Sequence, residues 1–206
     1  MRTYEYGNLD AQTVLIQPVD DHELPLMEKE WQEIRNLTDK DVLLIAVKVN
    51  SWNDDLSPWE APAVFGKDGF GGRAEKMLEI IRQLCQENSN SYYLGGYSLA
   101  GLFALWAGYQ VQFAGIAAAS PSMWFPGFTD YMEQNSPLTD NIYLSLGDKE
   151  EKARNKNMST VGDCMRQGFK KLQEDGINCT LEWNQGNHFH EPEKRMAKAF
   201  AWAVKY

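Results

Sequence analysis

Cysteine is scarce in this chain: Cys85, Cys164 and Cys179 are the three it has, and no two form a Cys-x-x-Cys pair. An odd number at unrelated spacings excludes a disulfide framework and a zinc knuckle. A reducing, cytoplasmic compartment is the expectation. Positive charge is also in deficit, with 20 Lys and Arg against 29 Asp and Glu and a formal net charge of −9. Proteins that hold a phosphate backbone need a basic face, because releasing counterions supplies much of their affinity. The densest basic stretches, 149–156 and 194–198, carry Glu among the bases. Nucleic acid and anionic membranes are therefore not expected as partners. Long apolar runs are missing too: residues 99–108 and 113–119 are the longest, far short of the roughly 20 residues a membrane helix needs. Residues 1–10 have no basic start followed by an apolar stretch, so no leader is expected.

What the chain does have is alternation. Strand-length apolar runs at 13–17, 42–49, 91–96, 113–119, 141–146 and 178–183 are separated by segments of helical period. The clearest of these are 24–37, 72–87, 158–174 and 193–204. Near-continuous Val, Ile and Leu strands spaced by helices mark strands buried on both faces. The expected fold is α/β: a doubly wound, mostly parallel sheet of about six strands with helices on both sides, residues 1–206 forming one domain without a large lid. Residues 50–72 show no period but hold Trp52, Trp59, Phe65 and Phe70 with glycine and proline punctuation. Loops this long in compact domains are usually functional or disordered, and the aromatics argue against disorder.

The third strand runs into Gly95-Gly96-Tyr97-Ser98-Leu99-Ala100-Gly101, followed at once by the apolar Leu102-Phe103-Ala104-Leu105-Trp106. Strand, tight turn and buried helix in that order make a nucleophile elbow. Its apical serine needs small residues two before and two after, and Gly96 and Ala100 stand there. Ser98 is the candidate nucleophile. A serine hydroxyl needs a base and an orienting acid. Of the three histidines, His188 lies in the loop after the sixth strand, at the carboxyl edge where the elbow also opens. It is the candidate base, with His190 and then His22 behind it. The acid is expected in Gly147-Asp148-Lys149-Glu150-Glu151-Lys152, after the fifth strand. Glu150, three residues past the glycine, is preferred; Asp148 is the alternative.

Other chemistry is weaker. The glycines of 66–72 precede no Lys-Ser/Thr and follow no strand, so they do not make a phosphate loop. His188, His190 and Glu191 lack a remote fourth ligand, and no metal or other cofactor is expected. Trp52, Trp59 and Trp124 are candidates for an apolar wall near Ser98, whereas Trp106 and Trp202, on helices, read as core. No fixed charge stands out to bind a carboxylate, although Lys67 and Arg73 border the aromatic loop. A small uncharged acyl or aryl ester is the expected substrate. A thioesterase or peptidase using the same triad, or a non-catalytic binding protein with an inert elbow, is the competing reading.

On Gly96–Trp106 (GYSLAGLFALW), Ala119–Phe125 (ASPSMWF), Leu144–Lys152 (LSLGDKEEK), Gly186–Phe189 (GNHF) and the aromatic Trp52–Trp59 (WNDDLSPW), the chain resembles the α/β-hydrolase superfamily. Within it, it is similar to the esterase branch that includes esterase D and the enterochelin and bacillibactin esterases. The resemblance runs from Thr13 onward. It implies Ser98 as nucleophile, His188 as base and Glu150 as the glycine-plus-three acid. It also implies an oxyanion hole from the Leu99 N–H and one N–H in the loop 17–21. Pro18 has none to give, so Val19 is the expected second donor, or else Asp20. Two departures stand out: Ala100 replaces a glycine, and the strands that come first in the family are missing or reduced to residues 2–6.

Overall fold

In the computed structural model, which describes residues 2–64 and 66–206, seven strands form one sheet. Along the sheet they run β1 (Thr3–Gly7), β3 (Val42–Lys48), β2 (Thr13–Val19), β6 (Ser91–Tyr97), β7 (Gly115–Ala119), β8 (Asn141–Gly147) and β9 (Asn178–Asn184). Every pairing is parallel except that of β1 with β3. Six strands are the expected ones. The seventh, β1, is the N-terminal remnant expected at residues 2–6, and it closes one edge in antiparallel register, Tyr4 opposite Ala46. Pro18 falls in β2 beyond the last residue paired with β6, Ile16, so its missing N–H leaves no hole in that ladder.

The strands are Val, Ile, Leu and Ala-rich because both of their faces are covered. On one side α1 (Met27–Leu37) and α7 (Pro192–Ala203) bury Met27, Ile34, Met196 and Phe200 against Leu15, Leu44 and Ala117. On the other, α3 (Ala74–Leu84), α4 (Leu99–Ala107) and α6 (Val161–Glu174) cover Ile16, Leu94 and Leu144. Every residue of α4 is buried, as a helix that is apolar all round must be.

The 50–72 connection has structure of its own. It holds the short helix α2 (Trp52–Asp55) and a two-stranded ribbon of β4 (Glu60–Ala61) and β5 (Phe70–Gly71). Arg73 fastens it: the guanidinium meets Asp54 at 3.1 Å and Asp55 at 3.0 Å. The short helix α5 (Phe128–Gln134) follows β7. Among the described residues, no helix is long and apolar enough to cross a membrane. The three cysteines are unpaired.

Below the end of β2 lies an acidic cluster in which Asp20 and Glu23 are half-buried and Glu30 is buried. Asp20 and Glu23 bond reciprocally: Asp20 Oδ1 accepts the Glu23 N–H at 2.8 Å, and Glu23 Oε2 accepts the Asp20 N–H at 3.3 Å. Burial, reinforced by the Asp20 charge, pushes the Glu23 carboxyl up to about 8. Burial and then the Glu23 charge push the enclosed Glu30 well above its ordinary range. A carboxyl raised in the folded state stabilises fully below its unfolded pKa and loses that contribution as pH rises through the folded value. The thermal midpoint is therefore expected to fall between about pH 5 and pH 8. Glu23→Gln should flatten that decline in melts recorded across the window, and an unchanged slope would show that Glu23 is ionised throughout.

Candidate active site

Ser98 stands between β6 and α4 with φ 57° and ψ −121°. That backbone is one an L-residue rarely adopts, and the surroundings hold it. Its N–H donates to Ala119 O at 3.2 Å, while its carbonyl accepts from Leu102 N at 3.1 Å and Ser122 N at 3.0 Å. A Cβ built on Gly96 would overlap the Ala100 backbone, so glycine is required there and alanine is already the limit at Ala100.

Three side chains meet in a line at the carboxyl edge of the sheet. His188 Nε2 lies 3.0 Å from Ser98 Oγ, and His188 Nδ1 lies 2.7 Å from Glu150 Oε2. Glu150, at the start of a single 3₁₀ turn after β8, is buried. Its other oxygen accepts from Gly147 N at 2.7 Å, Ser120 Oγ at 2.7 Å and Arg195 Nη1 at 3.0 Å. Burial alone would push this carboxyl up. The hydrogen bonds and charge of His188, together with the donors Ser120 and Gly147, outweigh it and hold the group below the ordinary carboxylate range. The alternative acid, Asp148, is exposed and does not reach His188; its Oδ1 accepts the Gly186 N–H at 2.8 Å and ties the β8 and β9 loops together. His190 is half exposed, its ring 3.7 Å from Glu191.

Arg195 was not singled out in the sequence. It is 3% exposed on α7. One nitrogen, Nη1, donates to Tyr97 Oη at 3.0 Å, to Ser120 Oγ at 3.1 Å and to Glu150. The other, Nη2, donates to the carbonyls of Gln185 at 3.1 Å and Asn187 at 2.9 Å, gripping the loop that carries His188. Tyr97, whose phenol burial pushes up to about 12, donates to the His188 carbonyl at 2.8 Å. A signal was available: Arg195 lies on the same helix face as Met196, Ala199 and Phe200, and a charge within an apolar stripe is informative.

These groups open onto a cavity of about 680 Å³, lined by Ser98, Leu99, Ser122, Trp52, Phe70, Trp124 and Phe189 among others. That volume suits a small ligand. Leu99 is the first residue of α4, where helix N–H groups have no partner inside the helix. Trp52 and Trp124 are in the wall, Trp124 against Phe70 with ring centroids 6.3 Å apart. Trp59 is not. It packs on Phe125, Phe128 and Tyr131, and its Nε1 donates to Pro126 O at 2.9 Å, so its work is anchoring α5. Val19 is not brought to the cavity either: it is wholly buried at the end of β2, and the next N–H, that of Asp20, is turned into Glu23. Lys149 and Lys152 do line the cavity, contrary to the expectation of no fixed charge. Phe189, edge-on to the His188 ring at 5.4 Å, is 85% exposed at its mouth. Among the described residues, no group of three His, Cys, Asp or Glu is arranged to hold a metal ion.

No family model and no curated protein sequence matches the chain. Solved structures do. It is similar to siderophore hydrolase EstA from Aspergillus nidulans, with a TM-score of 0.66 and 18% identity over 97% of this chain and 85% of that one. It is also similar to the enterobactin esterase FES from Shigella flexneri (0.64, 11%), covering 98% of this chain and 55% of that one. The acyl-protein thioesterase 2 of Zea mays gives 0.60 and 15%, over 98% and 99% of the two chains. The chain has the α/β-hydrolase fold. In this hydrolase fold the elbow, the loop after β8 and the loop after β9 converge on one edge, which is why residues 90 and 38 positions apart in sequence touch.

Removing Arg195 would leave Glu150 buried with a missing partner and free two loop carbonyls. Arg195→Met should cost about 3–5 kcal/mol of stability. A denaturant titration checks this; a loss below about 1 kcal/mol would mean that the pair is not formed.

Proposed function

We propose that this protein is a serine hydrolase that cleaves a small carboxylic ester through an acyl-enzyme. The observation that carries the reading is the unbroken line Glu150–His188–Ser98, with contacts of 2.7 and 3.0 Å, on the floor of the cavity. Ionised Glu150 accepts a hydrogen bond from the Nδ1–H of His188 and so leaves Nε2 with a lone pair facing the serine. Ser98 Oγ attacks the ester carbonyl as its proton passes to Nε2, and the imidazolium formed is balanced by Glu150. The carbonyl oxygen gains the negative charge beside the Leu99 N–H at the start of α4, where the helix field favours an anion. Collapse breaks the bond to the alcohol oxygen, which takes the proton from Nε2. Water then attacks the acyl-serine, giving its proton to Nε2, and Ser98 leaves with that proton as the carboxylic acid is released. The same attack serves a thioester. No cofactor enters any step. In this reading residues 1–206 act as one hydrolase domain, and the three unpaired thiols suit the cytoplasm.

A fluorophosphonate probe should label the folded protein at Ser98, found by peptide mass mapping, and leave Ser98→Ala untouched. Folded protein that stays unlabelled would favour an inert elbow. Among the acids, Glu150→Gln should lower kcat/KM by about 10⁴-fold, whereas Asp148→Asn should retain turnover; the opposite ranking would move the acid to Asp148. Because Glu150 is held below the ordinary carboxylate range, its support for His188 is lost only as pH falls through that lowered value. Activity should therefore show no loss from this carboxylate above about pH 5.

A further inference from the structure

The segment Asp148-Lys149-Glu150-Glu151-Lys152 reads in one dimension as a run of mixed charge, three acids against two lysines. In three dimensions the signs separate. Each acid is engaged away from the lysines: Asp148 with the Gly186 N–H, Glu150 with Arg195 and His188, and Glu151 with Arg166 at 2.8 Å. Among the described residues, neither Lys149 nor Lys152 forms an ion pair, and both line the cavity that holds Ser98. Among the described residues, the other ionisable groups along that lining are Glu150 and His188, which are paired with each other, Glu150 being enclosed as well. An approaching ligand therefore meets two uncompensated cations in a molecule whose formal net charge is −9.

Sheet order sets these cations against a different wall. Ser98 follows β6; Trp52 arrives from the connection after β3, two places along the sheet in one direction. Lys149 and Lys152 arrive from the connection after β8, two places along in the other. An ester whose carbonyl lies over Ser98 has two arms that leave the reacting carbon in different directions. One runs toward Trp52 and Phe70, and the other toward the lysines.

Resting on the serine-hydrolase reading, we infer that the substrate is a two-armed ester with an apolar or aromatic group on one arm and a carboxylate or similar anion on the other, the anion held by Lys149 and Lys152. The anion stays at the solvent-exposed rim, so it is not stripped of water, and the lysines select by attraction without a buried charge to desolvate. They also raise the local concentration of anionic ligands against the repulsion of the acidic surface.

The test uses matched esters on each arm, every rate normalised to the uncatalysed hydrolysis of the same compound. On the acyl arm, 4-nitrophenyl monosuccinate is compared with 4-nitrophenyl butyrate. On the alcohol arm, 4-carboxyphenyl butyrate is compared with phenyl butyrate. For one of the two pairs, kcat/KM should favour the anion by about 3- to 30-fold, as two exposed charge contacts supply. The preference should shrink toward unity in the Lys149→Gln/Lys152→Gln protein and at high salt, where the Debye length falls to about 3 Å at 1 M. Lys76→Gln, which removes one charge from the exposed side of α3, should leave it in place. Equal or better turnover of the neutral ester in both pairs overturns the inference, as does a preference that survives the double substitution, and in either case the hydrolase reading stands. Absence of both fluorophosphonate labelling and ester turnover overturns that reading, and this inference with it.

Discussion

A carboxylate sealed from water is tolerated only when its lone pairs are filled, and at Glu150 that requirement organises the whole edge of the sheet. One oxygen gathers a backbone N–H from the end of β8, a hydroxyl from the turn after β7 and a guanidinium from α7. The other is left for His188 alone. Because the same guanidinium holds two carbonyls of the β9 loop and the tyrosine preceding Ser98, the acid cannot be satisfied without bringing four connections into register. The ion pair is better understood as a constraint on position than as a gain in stability, since a buried pair seldom outperforms an apolar replacement by much.

Strain is concentrated in the same place. Ser98 at φ 57° and Ser120 at φ 45° both adopt backbone that costs an L-residue of order 1–3 kcal/mol. Each turn is bonded to the next strand along the sheet, Ser98 N–H to Ala119 O of β7 and Ser120 N–H to Ser145 O of β8. Relaxing either would break a strand-end hydrogen bond and misplace a hydroxyl. The all-apolar α4 behind Ser98 has nowhere to move, so the rigid core takes up the cost of an elbow that points its hydroxyl at His188.

Those features that depend on local pattern could be read directly from the residues. Apolar runs of strand length found β2, β3, β6, β7, β8 and β9, and the glycine–serine–alanine spacing found the elbow. Chain order and the glycine-plus-three position favoured Glu150 over Asp148, and Glu150 is the one of the two in contact with His188. What depended on side-chain direction could not be read. Trp52 and Trp59 stand seven residues apart in one aromatic loop, yet one faces the cavity and the other an interior of Phe125, Phe128 and Tyr131. Asp20 could have offered its N–H to a ligand, but Glu23, three residues on, claims it. The mixed charges after β8 read as slightly acidic in composition and separate only once the acids find partners in distant elements. β1 alternates but gave little apolar signal, because this five-residue edge strand buries none of its side chains fully.

Floor and wall of the cavity are built to different tolerances. The floor is fixed by buried hydrogen bonds, whereas much of one wall is the 50–72 connection, fastened by the apolar anchors Leu56, Trp59 and Phe70 and by the part-exposed pairs of Arg73 with Asp54 and Asp55. Such pairs contribute little and are screened by salt. Local opening follows the weakest attachments first, so the Arg73 pairs give way before the buried network of the sheet edge beneath them. The shape that recognises a ligand is thus separable from the machinery that would act on it, and the wall could drift in sequence or loosen on warming while the floor kept its geometry.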